Sequence, residues 1–325
     1  MNDITISLVE QAVDLLRGVA KVTPVLTSRT LDDISGTQSF LKCENFQLVG
    51  AFKFRGAYHA VTRLIASRSA SIFATISSGN HAQGLALACR LHGATAHVVM
   101  PKPFSPMKYH AVLDYGATVH VVESRAQAEG KLRDVAEGCG AMIVHPFNDP
   151  LVIAGQGTIM VELLDQVRDL DVVIAPVGGG GLLSGLGVVA EAYRPQMQIF
   201  ACEPAGALDA IESVRENRIV PMPNPDTIAD GLRTSLGDLT LPILRRCLTG
   251  FFIVREAEII QAMRFAYERL KLVIEPSSAV ALVPLLRKEA RLAGKRVAVV
   301  LSGGNADLTL LWNGLSGENS RSASG

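Results

Sequence analysis

The chain reads as an α/β protein whose sheets are parallel or mostly parallel and flanked by helices, and three observations predict this. Short runs of β-branched and apolar residues alternate with longer helix-patterned stretches along most of the 325 residues. The apolar run 172–177 passes directly into Gly178, Gly179, Gly180 and Gly181 and then into Leu182-Leu183-Ser184. Two other apolar runs end in loops of Ser and Gly, Ser77-Ser78-Gly79 and Ser302-Gly303-Gly304. Strands joined by crossover helices lie parallel, and loops of this kind collect at the carboxyl edge of such a sheet, where ligands bind.

Taken in order, 72–76 is a strand followed by a helix over 83–91, and 96–100 a strand followed by a helix over 106–114. The strand 118–122 leads into a helix over 126–137, and 141–144 closes this first series. A second series runs from a helix over 157–168 through the strand before the glycines, the strand 198–202 and the final strand 296–301. Two α/β domains follow from the two series. No solenoid-type repeat is present. The Ser- and Gly-rich stretch 316–325 reads as disordered.

Composition removes several classes of function. Lys plus Arg equals Asp plus Glu at 31 each, so there is no electrostatic case for nucleic acid or an acidic membrane. Cys43, Cys89, Cys139, Cys202 and Cys247 are scattered, with no CxxC pair, which fits a reduced cytoplasmic setting. The N-terminus lacks the pattern of a signal peptide. Residues 172–190 are uncharged throughout, but Pro176 and the glycines make them a buried strand, turn and helix rather than a membrane span.

Four bare glycines at the start of a helix let several N–H groups converge on an anion. A dinucleotide fold is one reading: Gly185-Leu186-Gly187-Val188-Val189-Ala190 matches GxGxxA, and Glu203 ends the next strand. That match lies inside the helix, however, whereas the fingerprint must itself be the turn. It also leaves three segments unexplained, 50–57, 77–84 and 301–305. In the first, Lys53 stands between Phe52 and Phe54, surroundings that disfavour an ammonium and free the amine as nucleophile or base. Alone, Lys53 reads as a surface lysine and each loop as a tight turn. A nucleophilic lysine, an anion cradle and two polar loops together point to an aldehyde cofactor bearing a phosphate, pyridoxal phosphate.

These segments resemble the fold type II pyridoxal-phosphate enzymes, whose architecture is like that of the tryptophan synthase β subunit, and within them the serine racemase and serine/threonine dehydratase branch. The likeness runs from Thr23-Pro24-Val25-Leu26 to Asp307-Leu308-Thr309, with the motifs in the family's order. The resemblance implies that Lys53 carries the cofactor as a Schiff base and, once released, removes the substrate α-proton. Phe52 would pack near the ring and Asn80 would bond the ring hydroxyl. Gly178, Gly179, Gly180, Gly181 and Leu182 would hold the phosphate, and Gly231 and Glu275 would lie close by. Ser302 would face the pyridine nitrogen. A hydroxyl there does not keep that nitrogen protonated, so the ring is a weaker electron sink and β-elimination is favoured over transamination.

By the same resemblance, Ser77, Asn80 and His81 would cradle the carboxylate of a small amino-acid substrate, and Thr234 would contact it. Ser78 would face Lys53 from the opposite side and permit racemisation or use of a D-amino acid; read structurally, it is a helix N-cap. Glu203, Ala207 and Asp209 fit a divalent cation site of oxygen ligands, suited to Mg or Ca, or else form a solvated acidic loop. Two departures stand out. Arg125 falls several positions early for the arginine that some members use on a carboxylate, and Phe147 followed by Asn148 stands where the family has asparagine. A regulatory domain after Leu310-Leu311-Trp312 is not expected.

The expectation is therefore a cytoplasmic, homodimeric lyase. Residues 1–66 and 149–325 form a large cofactor domain and 67–148 a smaller one, whose closure carries Ser78 toward Lys53 and excludes water. It would dehydrate L-threonine or L-serine to a 2-keto acid and ammonia. The alternatives are a serine racemase and a dehydratase acting on 3-hydroxyaspartate or D-serine. More remote are a nicotinamide oxidoreductase and a non-catalytic amino-acid sensor. No nucleic-acid or membrane partner is expected.

Overall fold

The computed structural model describes residues 4–307. The stretch 316–325 and residues 308–312 lie outside the described residues. Among the described residues ten strands form two sheets, with the helices packed on their faces. The strands are β1 (Val25–Leu26), β2 (Gln38–Cys43), β3 (Ile72–Ile76), β4 (Thr95–Pro101), β5 (Thr118–Val122), β6 (Met142–Ile143), β7 (Val172–Pro176), β8 (Gln198–Pro204), β9 (Gly250–Val254) and β10 (Arg296–Leu301). The larger sheet has the order β1-β2-β10-β7-β8-β9 and is parallel except for β1, which runs antiparallel to β2. The smaller has the order β5-β4-β3-β6 and is parallel throughout.

The helices that matter below are α1 (Ile6–Leu16), α2 (Arg29–Ser35), α3 (Lys53–Arg68), α4 (Asn80–Leu91), α5 (Pro106–Asp114), α6 (Arg125–Cys139), α7 (Pro150–Gln166), α8 (Gly181–Tyr193), α9 (Asp209–Glu216) and α10 (Thr240–Cys247). Burial explains why the central strands read as continuous apolar runs rather than alternating ones. In β7, Val172 and Ile174 enter one core with Leu31 of α2 and Phe252 of β9, while Val173 and Ala175 enter another with Ile159, Leu183 and Leu244 of α7, α8 and α10. A strand covered on both faces has no solvent side to mark with polar residues. The small sheet repeats this plan: Phe73 and Val98 pack with Leu85 of α4, and Ala74 and Val99 with Leu132 of α6.

Helix α7 begins at Pro150, seven residues before the start that the pattern suggests, capped by Asp149, whose carboxylate accepts the N–H groups of Leu151 (2.8 Å) and Val152 (3.3 Å). Gly155 and Gly157 weaken the sequence signal, but they are there for packing. A Cβ on Gly155 would lie 2.6 Å from Gly56 Cα, and one on Gly157 3.1 Å from the Gly185 carbonyl, so α7 crosses α3 and α8 at backbone contact. Helix α4 likewise starts earlier than expected, at Asn80. Gly79 stands at its N-cap and Ser77 Oγ accepts the Gly79 N–H at 3.2 Å, so Ser78 is not the capping residue.

Candidate active site

The carboxyl ends of β7, β10 and β3 deliver the glycines, Ser302 and Ser77-Ser78 to one edge of the fold, and the start of α3 meets them there. The Phe52 N–H donates to the Ser302 carbonyl at 3.0 Å and the Gly304 N–H to the Gly50 carbonyl at 2.9 Å, which zips the segment 50–52 to the loop after β10. Asn305 Nδ2 donates to the Val49 carbonyl at 2.7 Å and to Asn80 Oδ1 at 2.9 Å, adding the first turn of α4. Three segments far apart in sequence are thus one hydrogen-bonded unit.

Lys53 is the first residue of α3. Its Nζ donates to the Pro146 carbonyl at 2.8 Å and sits 5.1 Å from the centre of the Phe52 ring. Lost hydration lowers its pKa to about 8, and the Glu275 carboxylate only partly opposes this. The two flanking imidazoles do not add a positive charge. Burial brings His145 down to about 4 and His81 to about 3, with the Lys53 charge pushing the same way. The Nδ1 of His145 accepts the N–H groups of Phe147 (3.3 Å) and Asn148 (2.9 Å). His81 Nε2 lies 3.4 Å from the Val144 carbonyl, and its buried Nδ1 has no partner among the described residues.

The four glycines lead into α8, whose N-cap Gly180 offers no side-chain cap, so the orphan N–H groups of the first turn are open to an anion. Gly180 has φ +86°, a left-handed conformation. A Cβ on Gly178 would meet the Gly231 carbonyl at 3.0 Å and Thr234 Cγ2 at 3.4 Å, which brings both of those residues beside the cradle. Phe147, which stood out in the sequence only as a departure from asparagine, gains a packing role. Its ring lies directly on Gly179, and its Cβ would be 2.9 Å from a Cβ on Gly181. Thr240, unforeseen, donates from Oγ1 to the Gly179 carbonyl at 2.8 Å and accepts the Gly237 N–H at 2.9 Å. Leu182 is buried behind the turn.

Glu275 is buried, and burial raises its pKa. It accepts from Asn80 Nδ2 at 2.6 Å and from Lys108 Nζ at 3.3 Å, and a Cβ on Gly303 would be 2.6 Å from its Oε1. Lys108 belongs to α5 on the small sheet, is itself buried, and reaches Asp230 Oδ2 at 2.6 Å beside Gly231. Burial lowers its pKa, but Glu275 and Asp230 outweigh that and raise it overall. No motif marks a lone lysine on an amphipathic helix as a buried tie; only the fold reveals it. Arg125 is another cross-sheet contact, from the start of α6 to the Arg233 carbonyl. Ser78 sits half-buried in the loop before α4.

Glu203, Ala207 and Asp209 lie elsewhere, at the end of β8 and the start of α9. Glu203 accepts the N–H groups of Ala210 (2.7 Å) and Ile211 (3.0 Å). Burial pushes Glu203 up to about 8 and Asp209 to about 6, and Asp209 Oδ2 is buried without a partner among the described residues. No group of three or more His, Cys, Asp or Glu side chains able to hold a metal occurs among the described residues, so a cation here would need backbone oxygen or water as well. Among the described residues no helix is long and apolar enough to cross a membrane.

A half-buried amine with a depressed pKa, an uncapped glycine N-terminus and a buried serine at the end of a neighbouring strand suit a phosphorylated aldehyde. Comparison with known proteins agrees. The family model described as pyridoxal-phosphate dependent enzyme matches residues 16–303. The chain is 42% identical over 311 residues to a serine racemase of Arabidopsis thaliana, covering 94% of each protein. It is 43% identical over 293 residues to a beta-hydroxyaspartate dehydratase of Paracoccus denitrificans, covering 90% of this chain and 93% of that one. The structure of maize serine racemase superposes with a TM-score of 0.91 at 37% identity, over 97% of both chains. A family model matched over residues 16–303 and a scaffold superposed over nearly its whole length make this chain a member of the pyridoxal-phosphate-dependent enzyme family with the type II fold.

Proposed function

We propose that the protein is an ammonia-lyase that dehydrates a β-hydroxy amino acid of the L-threonine or L-serine type to a 2-keto acid and ammonia. The observation that carries this reading is Lys53, a desolvated amine beside an uncapped, glycine-lined helix start, with a neutral serine rather than a carboxylate on the adjoining loop. Bound there, pyridoxal phosphate supplies an electron sink for the bond to the substrate α-carbon. Gly178, Gly179, Gly180, Gly181 and Leu182 would hold its phosphate, Phe52 and Gly231 would lie beside it, and Asn80, oriented by Glu275 and Asn305, would donate to its hydroxyl. Ser302 would face the ring nitrogen and, as a neutral hydroxyl, would not fix a proton on it.

Lys53 then takes the α-proton, which its lowered pKa allows near neutral pH. Ser77, Asn80 and His81 orient the carboxylate, and Thr234 contacts the rest of the substrate. Closure of a small domain, residues 67–148, onto the large one brings Ser78 to the face opposite Lys53 and excludes water. Glu203, Asp209 and the Ala207 carbonyl form the site of a Mg or Ca ion. The active species is a cytoplasmic homodimer.

Racemisation and the dehydration of 3-hydroxyaspartate are the second reading, supported by the names of the relatives above and by a serine at position 78. The discriminating experiment offers L-threonine, L-serine, D-serine and 3-hydroxyaspartate to the holoenzyme while keto acid and product enantiomer are measured. Keto acid from L-threonine or L-serine supports the lyase. Racemisation that outruns it overturns that order, and racemisation surviving Ser78→Ala removes the role given to Ser78. A Lys53→Ala protein is expected to be colourless and inactive.

A further inference from the structure

The first turn of α3 carries Lys53 and, two residues on, a guanidinium that is completely buried. Arg55 Nε and Nη2 donate to Glu44 Oε2 and Oε1 at 2.8 and 2.9 Å, and Nη1 and Nη2 donate to Glu162 Oε1 and Oε2 at 2.6 and 2.9 Å. Further bonds run to Thr158 Oγ1 and the Lys21 carbonyl, both at 3.2 Å. Glu162 also takes Lys42 Nζ at 2.6 Å, and Lys42 is held by the Thr23 carbonyl and Gln166 Oε1, each at 2.9 Å. Two cations face two carboxylates, so the cluster is neutral. It joins α3 to β2, to the turn Glu44–Phe46 and to α7.

A buried ion cluster of this kind does little for stability that well-packed apolar side chains could not do as well. What a double fork on a planar guanidinium does provide is direction, because both carboxylates must meet it in fixed planes. The backbone of the same turn is confined from the other sides. A Cβ on Gly84 of α4 would be 3.2 Å from the Lys53 carbonyl carbon and oxygen, and one on Gly155 of α7 2.8 Å from the Arg55 carbonyl oxygen. Among the described residues Lys53's own side chain, by contrast, has a single hydrogen bond, to Pro146.

We propose that Arg55 is a positioning residue for Lys53: its double carboxylate fork fixes the first turn of α3 so that the Lys53 amine is presented to the cofactor aldehyde and, later, to the substrate. The proposal rests on the role given to Lys53 above. An amine displaced by about 1 Å from its working position loses about 100-fold in rate.

The test removes a charge-neutral pair so that no buried ion is stranded. Arg55→Met with Glu44→Gln leaves Lys42 on Glu162 and an oxygen for Thr23 Oγ1, which now bonds Glu44 at 2.5 Å. Apoprotein is mixed with pyridoxal phosphate, the growth of the yellow lysine-bound absorbance is followed in time, and melting is recorded alongside. The double variant is expected to melt close to the parent but to capture cofactor at least tenfold more slowly, with kcat reduced and KM little changed. Parental capture rate and kcat in a normally melting variant would falsify the proposal. If the double variant does not fold, Arg55→Lys keeps the charge without the fork, and the same slowed capture is required of it; unaltered capture again rejects the idea. Failure of the parent protein itself to turn yellow overturns the reading of Lys53 and takes this proposal with it.

Discussion

At the scale of single residues, burial sets protonation. Desolvation lowers Lys53 to about 8 from an ordinary value of 10.5, so the neutral amine, the form that attacks an aldehyde, becomes abundant two to three pH units earlier than in a free lysine. The rate of cofactor capture by apoprotein should therefore rise with pH and reach half its plateau near pH 8; a midpoint near 10.5 would contradict the burial of this amine. His81 and His145 stay neutral across that range because burial holds both far below it, so the rise should follow a single group. Glu203 and Asp209 show the opposite shift. Both carboxyls are buried and Asp209 Oδ2 has no partner among the described residues, a combination that a hard cation should relieve. Added Mg or Ca is expected to raise the melting temperature of the parent and not that of Asp209→Asn, measured by thermal shift.

At the scale of elements, the glycines acquire a second explanation. In the sequence, Gly178, Gly179, Gly180 and Gly181 read as a cradle for phosphate, yet Gly179 and Gly181 also make room for Phe147, which arrives from the segment between β6 and α7. A Gly179→Ala chain should lose about 1–3 kcal/mol of stability through overpacking against that ring. Phe147→Ala in the same chain should recover much of it, as chemical denaturation can measure. Recovery of stability without recovery of cofactor affinity would separate the packing role from the anion role. Lys108 carries a comparable weight between α5 and the loop of Asp230. Breaking such a buried pair from one side costs about 3–5 kcal/mol, so Lys108→Met should unfold at lower denaturant and bind cofactor less tightly, because Asn80 loses the order imposed through Glu275. Neither contact was legible beforehand. Phe147 stood out only as a departure from asparagine, and Lys108 not at all, since a charge on a helix reads as solvent-facing until the neighbouring element is known.

At the scale of the molecule, two sheets, one parallel throughout and one parallel but for β1, have separate cores, and the strand-end loops of both supply the candidate site. If the smaller unit closes on substrate, the amides of the loop before α4 should exchange more slowly when cofactor and a substrate analogue are bound, as hydrogen exchange would register. Much of this architecture was legible in the chain: β3, β4, β5, β7, β8 and β10 and the helices between them announce themselves through runs of apolar residues bounded by polar loops. The short β1, and β2 with the fully buried Lys42, carry weaker signals, because pairing partners rather than local pattern make them strands, whereas the run 141–144 already marked β6.

The sequence by itself determined the class of chemistry. A lysine between aromatics, a glycine turn before an apolar helix and Ser/Gly loops at strand ends are local signals, each set by what a few adjacent residues can do. Tertiary structure alone decided which groups press on one another: Phe147 on Gly179, Lys108 between Glu275 and Asp230, Arg55 between Glu44 and Glu162. Those contacts join residues from 11 to 167 positions apart. They depend on how sheets and helices stack, and no local pattern encodes that distance.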